Sequence, residues 1–236
     1  MRWPLPIDHL YILCDPQEEP ARATYLINWL KTNGIDDDCW SFVNKCYGKT
    51  LRSSDAHAAY NPYVERRPIE AMRSFNSYNM KPSEISLCIN WDHFARTAIR
   101  NGHSIVMMFE SDVIFNSDFY THLKDAMNIL TSNNVDWDFL SLSGGADLRP
   151  VRHAGDACLG WFPSINYYFH TRTCDAMIFK VSMLEKIVKT FLPVAEVLDW
   201  ELNYQLTLHG SKTLWLDPPI IRQGSDTNTR EYESTL

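Results

Sequence analysis

The stretch Ser104-Ile105-Val106-Met107-Met108-Phe109-Glu110-Ser111-Asp112-Val113-Ile114-Phe115 constrains this chain more than any other. A short apolar run stops abruptly at two acids, and hydrophobic residues resume at once. A run this short and apolar reads as a strand buried on both faces, as in a parallel sheet. Carboxylates at its C-terminal end are costly unless something compensates them. Open α/β sheets collect ligands at those strand ends. A divalent cation holding a phosphate-bearing substrate would be a sufficient compensation.

The rest of the chain fits around such a strand. His9 to Cys14 reads as a first strand, Glu18 to Lys31 as a helix stopped by Asn33-Gly34, and Cys39 to Val43 as a second strand. Asn44 to Pro82 carries no sustained period and reads as a long insertion, with short helices near Pro68 to Phe75. Ser83, after Pro82, fits the N-cap of a helix running to Arg100. Further helices are expected at Phe119–Leu130, Ser182–Phe191 and Asp199–Leu208, and strands at Asp136–Leu142, Asp175–Phe179 and Lys212–Leu216. Residues 145–169 read as irregular and aromatic, and a polar tail follows Pro218-Pro219. The expected fold class is therefore α/β: one domain over residues 1–236, with a mixed, mainly parallel sheet flanked by helices.

Bulk properties narrow the partners. The formal net charge of −7 argues against a nucleic-acid binder, whose affinity comes from Lys and Arg on phosphates. Short basic clusters such as Arg66-Arg67 read as solvated surface. The six cysteines form no CxxC pair, and Cys14 and Cys88 fall inside apolar patterns as buried free thiols. That usage points to a reducing compartment, hence a cytoplasmic location. The N-terminus lacks a signal peptide's apolar core, and no run approaches the length of a membrane span.

Glu110 and Asp112 are the leading chemical candidates. On a continuous strand, residues i and i+2 face one side, so both carboxylates could address one Mn²⁺ or Mg²⁺ ion. The competing reading is a strand end followed by a helix cap. Asp199 has two readings, an N-cap and a general base, with Glu201 as its rival. Arg22, Arg222 and Arg230 could pair with phosphates or lie on plain surface. His170 could border a cleft, although a lone His is more often structural. No GxGxxG, Walker or GxSxG motif occurs.

The run from Met108 to Phe119 resembles the "LEDDVxFxxdF" signature of glycosyltransferase family 25, which includes lipooligosaccharide and collagen sugar transferases. Other segments resemble that family in the same order. Tyr11-Ile12-Leu13 with Arg22 matches its opening strand and helix start. Ser83 to Trp91 matches "GEIGCALSH", Thr173 to Phe179 matches "GTxAYLIS", Leu198-Asp199 matches "xxD", and Pro219 to Gln223 matches "PLVxQ". The chain departs at Ser83, Trp91, Thr173 and Ser111, the last standing where the pattern has the middle Asp of "EDD". The resemblance implies a single GT-A domain, the nucleotide-diphospho-sugar transferase fold, with a nucleotide-binding half over about 1–115 and an acceptor-binding half over about 116–236. It implies that Asp112 and Glu110 take the place of the Asp-x-Asp motif, with Asp112 on the metal and Glu110 near the ribose or a metal-bound water. Gln223 would contact the metal or the diphosphate, Arg222 would pair with phosphate, Arg22 would contact the diphosphate or the nucleotide base, and Asp199 would act as general base.

The implied activity is metal-dependent transfer of a sugar from a nucleotide sugar, expected to be UDP-linked, to a hydroxyl of a glycan or glycoconjugate, with inversion. Two other readings stand beside it: a metal-dependent phosphoesterase or nuclease, and a non-catalytic carbohydrate-binding protein of the same fold.

Overall fold

The computed structural model describes residues 6–64, 79–143, 160–163, 170–171 and 173–224. Strands β1 (His9–Leu13), β2 (Trp40–Val43), β3 (Ile105–Glu110), β5 (Phe139–Ser141), β6 (Gly160–Pro163), β7 (Ala176–Lys180) and β8 (Thr213–Asp217) form one sheet in the order β2-β1-β3-β7-β5-β8-β6. β1 runs parallel to β2 and β3, and β5 parallel to β8. β7 and β6 run antiparallel to their neighbours. Five of the seven strands therefore point one way, so the sheet is mixed and mainly parallel. A second, two-stranded sheet pairs β4 (Val113–Phe115) with β9 (Ile221–Gln223).

Alternation along the strands sorts side chains into two cores. Met107 and Phe109 of β3, with Leu10 and Ile12 of β1, face the helices α1 (Pro20–Thr32) and α4 (Phe119–Ser132). Val106 and Met108, with Tyr11 and Leu13, face α3 (Pro82–Arg100), α5 (Val181–Ile187) and α6 (Leu198–Leu208). The result is a three-layer α/β/α sandwich. The continuous apolar character of β3 follows directly: its residues from Val106 to Phe109 are wholly buried, some on each face.

Several expectations are refined. Pro82, not Ser83, opens α3: Lys81 takes the N-cap position, with its amide donating to the Glu84 carboxylate at 2.6 Å. Proline suits the first helical position because its missing N–H would be unsatisfied there anyway. The strand through residue 110 does not continue across Ser111-Asp112. β3 ends at Glu110, those two residues turn, and the chain resumes as β4. Nor is β8 the last strand. Ile220 and Ile221 are buried after Pro218-Pro219, and the segment pairs as β9. The insertion contains α2 (Ser53–Ala59); the helices expected near Pro68 to Phe75 lie outside the described residues, as do Arg66, Arg67, Arg230 and nearly all of the irregular aromatic segment. No helix among the described residues is long and apolar enough to cross a membrane. Cys14, Cys39, Cys46, Cys88 and Cys174 are free thiols.

The loop after β2 packs tightly on the start of α3. The Asn90 side chain accepts from the Lys45 and Cys46 amides at 2.8 and 3.1 Å and donates to the Cys46 carbonyl at 2.9 Å. Gly48 then passes so close to α3 that a Cβ there would stand 2.7 Å from Ser83 Cα and 2.8 Å from Ser83 N. Because both obstacles are backbone, Gly48→Ala forces loop and helix apart. It is expected to cost about 1–3 kcal/mol of stability, the range for overpacking, read as a lowered Tm. An unchanged Tm would mean the loop is not held against α3.

Candidate functional site

α1, after β1, lies on one face of the sheet, whereas α3, before β3, lies on the other. The strand order therefore reverses between β1 and β3, and a crevice opens beyond their C-terminal ends, the usual ligand position in such sheets. A cavity of about 460 Å³ occupies it. Leu13 of β1 and Cys14 just after it, Glu110 at the end of β3 with Ser111 and Asp112 beyond it, and Arg22 and Gln223 all line it. Its other wall is the loop at Asn44–Lys49 and the N-terminal turn of α3, including Lys81 and Ser83. One wall is thus acidic, and the other carries Lys49, Lys81 and the positive end of a helix dipole.

Backbone pairing brings the distant parts together. Val113 pairs with Gln223 across β4 and β9, and the Gly224 amide donates to the Asp112 carbonyl at 2.7 Å. Gln223 is held beside Asp112 for that reason. Arg222, one residue earlier on β9, projects to the opposite side of the strand and does not line this cavity.

Arg22 sits in the first turn of α1 and is buried. Its Nη1 donates to Glu19 Oε1 at 2.8 Å and to Ser111 Oγ at 3.0 Å, and Ser111 Oγ donates to Glu19 Oε1 at 2.8 Å. This triangle fixes the turn between Glu110 and Asp112. The two carboxylates reach one cavity through that turn, not through strand alternation.

Glu110 is 9% exposed, and no hydrogen bond reaches its carboxyl among the described residues. Burial raises its pKa well above the usual carboxylate range, and the charges of Asp112, Asp175 and Asp199 raise it further, while Arg22 opposes them. Asp175, just before β7, is pushed up to about 6 by burial; the Thr173 and Ser143 hydroxyls work the other way. Four acids from three segments of the chain therefore share one electrostatic environment. The donors on the cavity wall are mostly oxygen, which suits Mg²⁺ or Mn²⁺ better than a softer metal. Among the described residues, no three His, Cys, Asp or Glu side chains are grouped so as to hold a metal ion by themselves. Cys14 supplies no nucleophile, because burial, with Glu19 adding to it, pushes its thiol up to about 12.

The two acids of α6 separate clearly. Glu201 is wholly buried and accepts from the Ala195 amide at 3.2 Å and from Gln205 Nε2 at 2.9 Å, so it braces the loop before its helix. Asp199 is half-buried, accepts from the Trp200 amide at 2.9 Å, and raises the Glu110 pKa through its charge. It does not line the cavity itself.

Sequence reasoning missed Glu19, Asn90, Gly48 and Asp175. Each acts through a contact between segments far apart in the chain, which no local pattern encodes. No protein-family model matches the chain, and no curated protein matches it either.

His170 is not a cleft residue in any open sense. It is buried, and its Nδ1 lies 2.7 Å from Thr213 Oγ1 of β8. Burial lowers its pKa to about 4. The unfolded ring takes up a proton near its ordinary 6.5, the folded ring only near 4. The stability this contributes is present above 6.5 and lost as pH falls through about 4. NMR titration of the His170 ring should give a midpoint near 4; a midpoint near 6.5 in the folded protein would refute its burial.

Proposed function

We propose that the chain is a metal-dependent glycosyltransferase of GT-A type, moving a sugar from a nucleotide-sugar donor to a hydroxyl of a glycan or glycoconjugate. The observation that carries this reading is Glu110: a buried carboxyl that receives no hydrogen bond from the described residues, opening beside Asp112 into a cavity at the sheet's switch point. Such a group needs a positive partner that the described side chains do not supply by direct contact. The resemblance around residues 108–119 and 219–223 assigns the same residues to the same role.

Asp112 and Glu110 would hold Mn²⁺ or Mg²⁺ with Gln223 adjacent, and the remaining coordination positions would be left to water and donor phosphates. When bound, the cation supplies positive charge against the leaving nucleoside diphosphate. Arg22 orients the Ser111 turn and adds a positive charge to the same wall. The N-terminal turn of α3, with Lys81 and Lys49, offers donors and charge for phosphate oxygens. Arg222, directed away from the cavity, is left for the acceptor or the surface. Asp199 takes the proton of the acceptor hydroxyl, which is the carboxylate role that inversion requires. Glu201 already serves two donors and is the poorer base.

A thermal-shift series tests the reading. UDP-hexoses should raise the Tm only when Mn²⁺ is present, with about 2.7 kcal/mol of stabilisation at a hundredfold excess over Kd. Asp112→Asn should abolish transfer, and retained full activity would refute the cation assignment. Asp199→Asn should lower kcat by about 10²–10⁴ with donor binding intact. Glu201→Gln should lower the Tm instead, because an amide NH₂ cannot serve both of its donors. Phosphate release without transfer would favour the phosphoesterase reading, and nucleotide binding without either reaction the non-catalytic one.

A further inference from the structure

Asp175 stands directly across the sheet from Glu110. The antiparallel register of β3 and β7 pairs Met108 with Met177 and Phe109 with Ala176. The Glu110 amide donates to the Asp175 carbonyl at 2.9 Å, which carries the same register one step further. Residues directly opposite in an antiparallel pair place their side chains on the same face, at the separation where like charges destabilise the pair. Here that face is the one packed against α3 and α6.

Both acids have unused capacity. Asp175 is 1% exposed, and its Oδ1 has no hydrogen-bond partner among the described residues. Glu110 is nine-tenths buried, lines the cavity, and receives no donor on its carboxyl among the described residues. Thr173 and Ser143, whose hydroxyls lie 2.9 Å apart, stabilise the ionised form of Asp175. A sheet built only for stability would not oppose two such groups. A cation held in front of them removes the conflict.

Resting on the reading of Glu110 and Asp112 as a cation site, we propose that Asp175 is a positioning residue for that cation. It acts through Glu110 and through water, not as a third direct ligand. Asp175 does not line the cavity, no three-ligand grouping occurs among the described residues, and Mg²⁺ and Mn²⁺ ordinarily retain several waters, all of which fit an outer position. Carboxylates in this outer position fix the direct ligands, and their loss typically weakens metal binding about 10–100-fold. Thr173 and Ser143 belong to the same unit, since they hold Asp175 in turn.

Mn²⁺ titration of the full chain, followed by electron paramagnetic resonance with no nucleotide present, tests this. The native chain should bind Mn²⁺, and Asp175→Asn should raise the Kd about 10–100-fold. The metal-free Asp175→Asn protein should melt no lower than the native one, because the amide keeps its hydroxyl partners and removes a charge facing Glu110. A purely structural Asp175 gives the reverse pattern, a lower Tm and an unchanged Kd, and would overturn the proposal. Thr173→Ala, which leaves all three acids in place, should raise the Kd in the same direction by a smaller factor. If Asp175→Asn fails to fold and Thr173→Ala binds Mn²⁺ as the native chain does, the proposal fails. Failure of the native chain to bind Mn²⁺ overturns this proposal and the cation reading together; native binding that Asp175→Asn leaves unaltered overturns this proposal alone.

Discussion

The burial of Glu110 at the end of β3 is the constraint on which the rest of the site depends. A carboxylate largely removed from water without donors carries a penalty if it stays ionised. Among the described residues, neither a Lys nor a backbone amide contacts the Glu110 carboxyl. The chain surrounds Glu110 with further acids, Asp112, Asp175 and Asp199, and holds Arg22, whose charge opposes theirs, in a triangle with Glu19 and Ser111. An arrangement that raises the cost of a charge is a poor stability device. It is a good receptor for something positive, and the cavity in front of it has the volume to admit one together with a larger ligand.

The sheet makes this arrangement possible without loss of order. β3 lies between parallel β1 and antiparallel β7, and its residues from Val106 to Phe109 are wholly buried. Two helical layers press on it from opposite faces. Strain introduced at Glu110 is therefore resisted along the whole strand. The cavity walls beyond the strand end are connections, and each is pinned in turn: the Ser111 turn by Arg22 and Glu19, β4 by its pairing with β9, and the loop after β2 by Asn90.

Periodicity made most of the helices and strands of the main sheet legible, because burial on one or two faces leaves its mark on each segment separately. The α/β class followed from the alternation of strand and helix at the start of the chain. The break at Ser111 was not legible, because apolar residues on both sides make Ile105 to Phe115 look continuous; only pairing with β9 reveals the turn. β9 itself was hidden behind Pro218-Pro219, which read as a stop. Glu110 and Asp112 could be singled out as acids at a strand end, and Gln223 only through the resemblance. Asp175 could not. It reads as the first residue of an unremarkable strand, and its significance comes from the register with β3, which no local pattern encodes. Asp199 and Glu201 looked equivalent in sequence, and hydrogen bonding to Ala195 and Gln205 distinguishes them.

Ser111 gives these relations a common logic. It stands where the resembled pattern has an acid between two others. A carboxylate there would face Glu19, whose Oε1 now accepts from the Ser111 hydroxyl at 2.8 Å, and would compete with it for Arg22. With serine, the local negative charge resides on Glu19, the N-cap of α1, and a neutral hydroxyl links the two segments. Arg22 is thereby held between the helix and the turn, close enough to moderate Glu110. The electrostatic balance of the cavity depends on the set Glu19, Arg22 and Ser111 acting together, so replacing any one of them alters the demands on the other two.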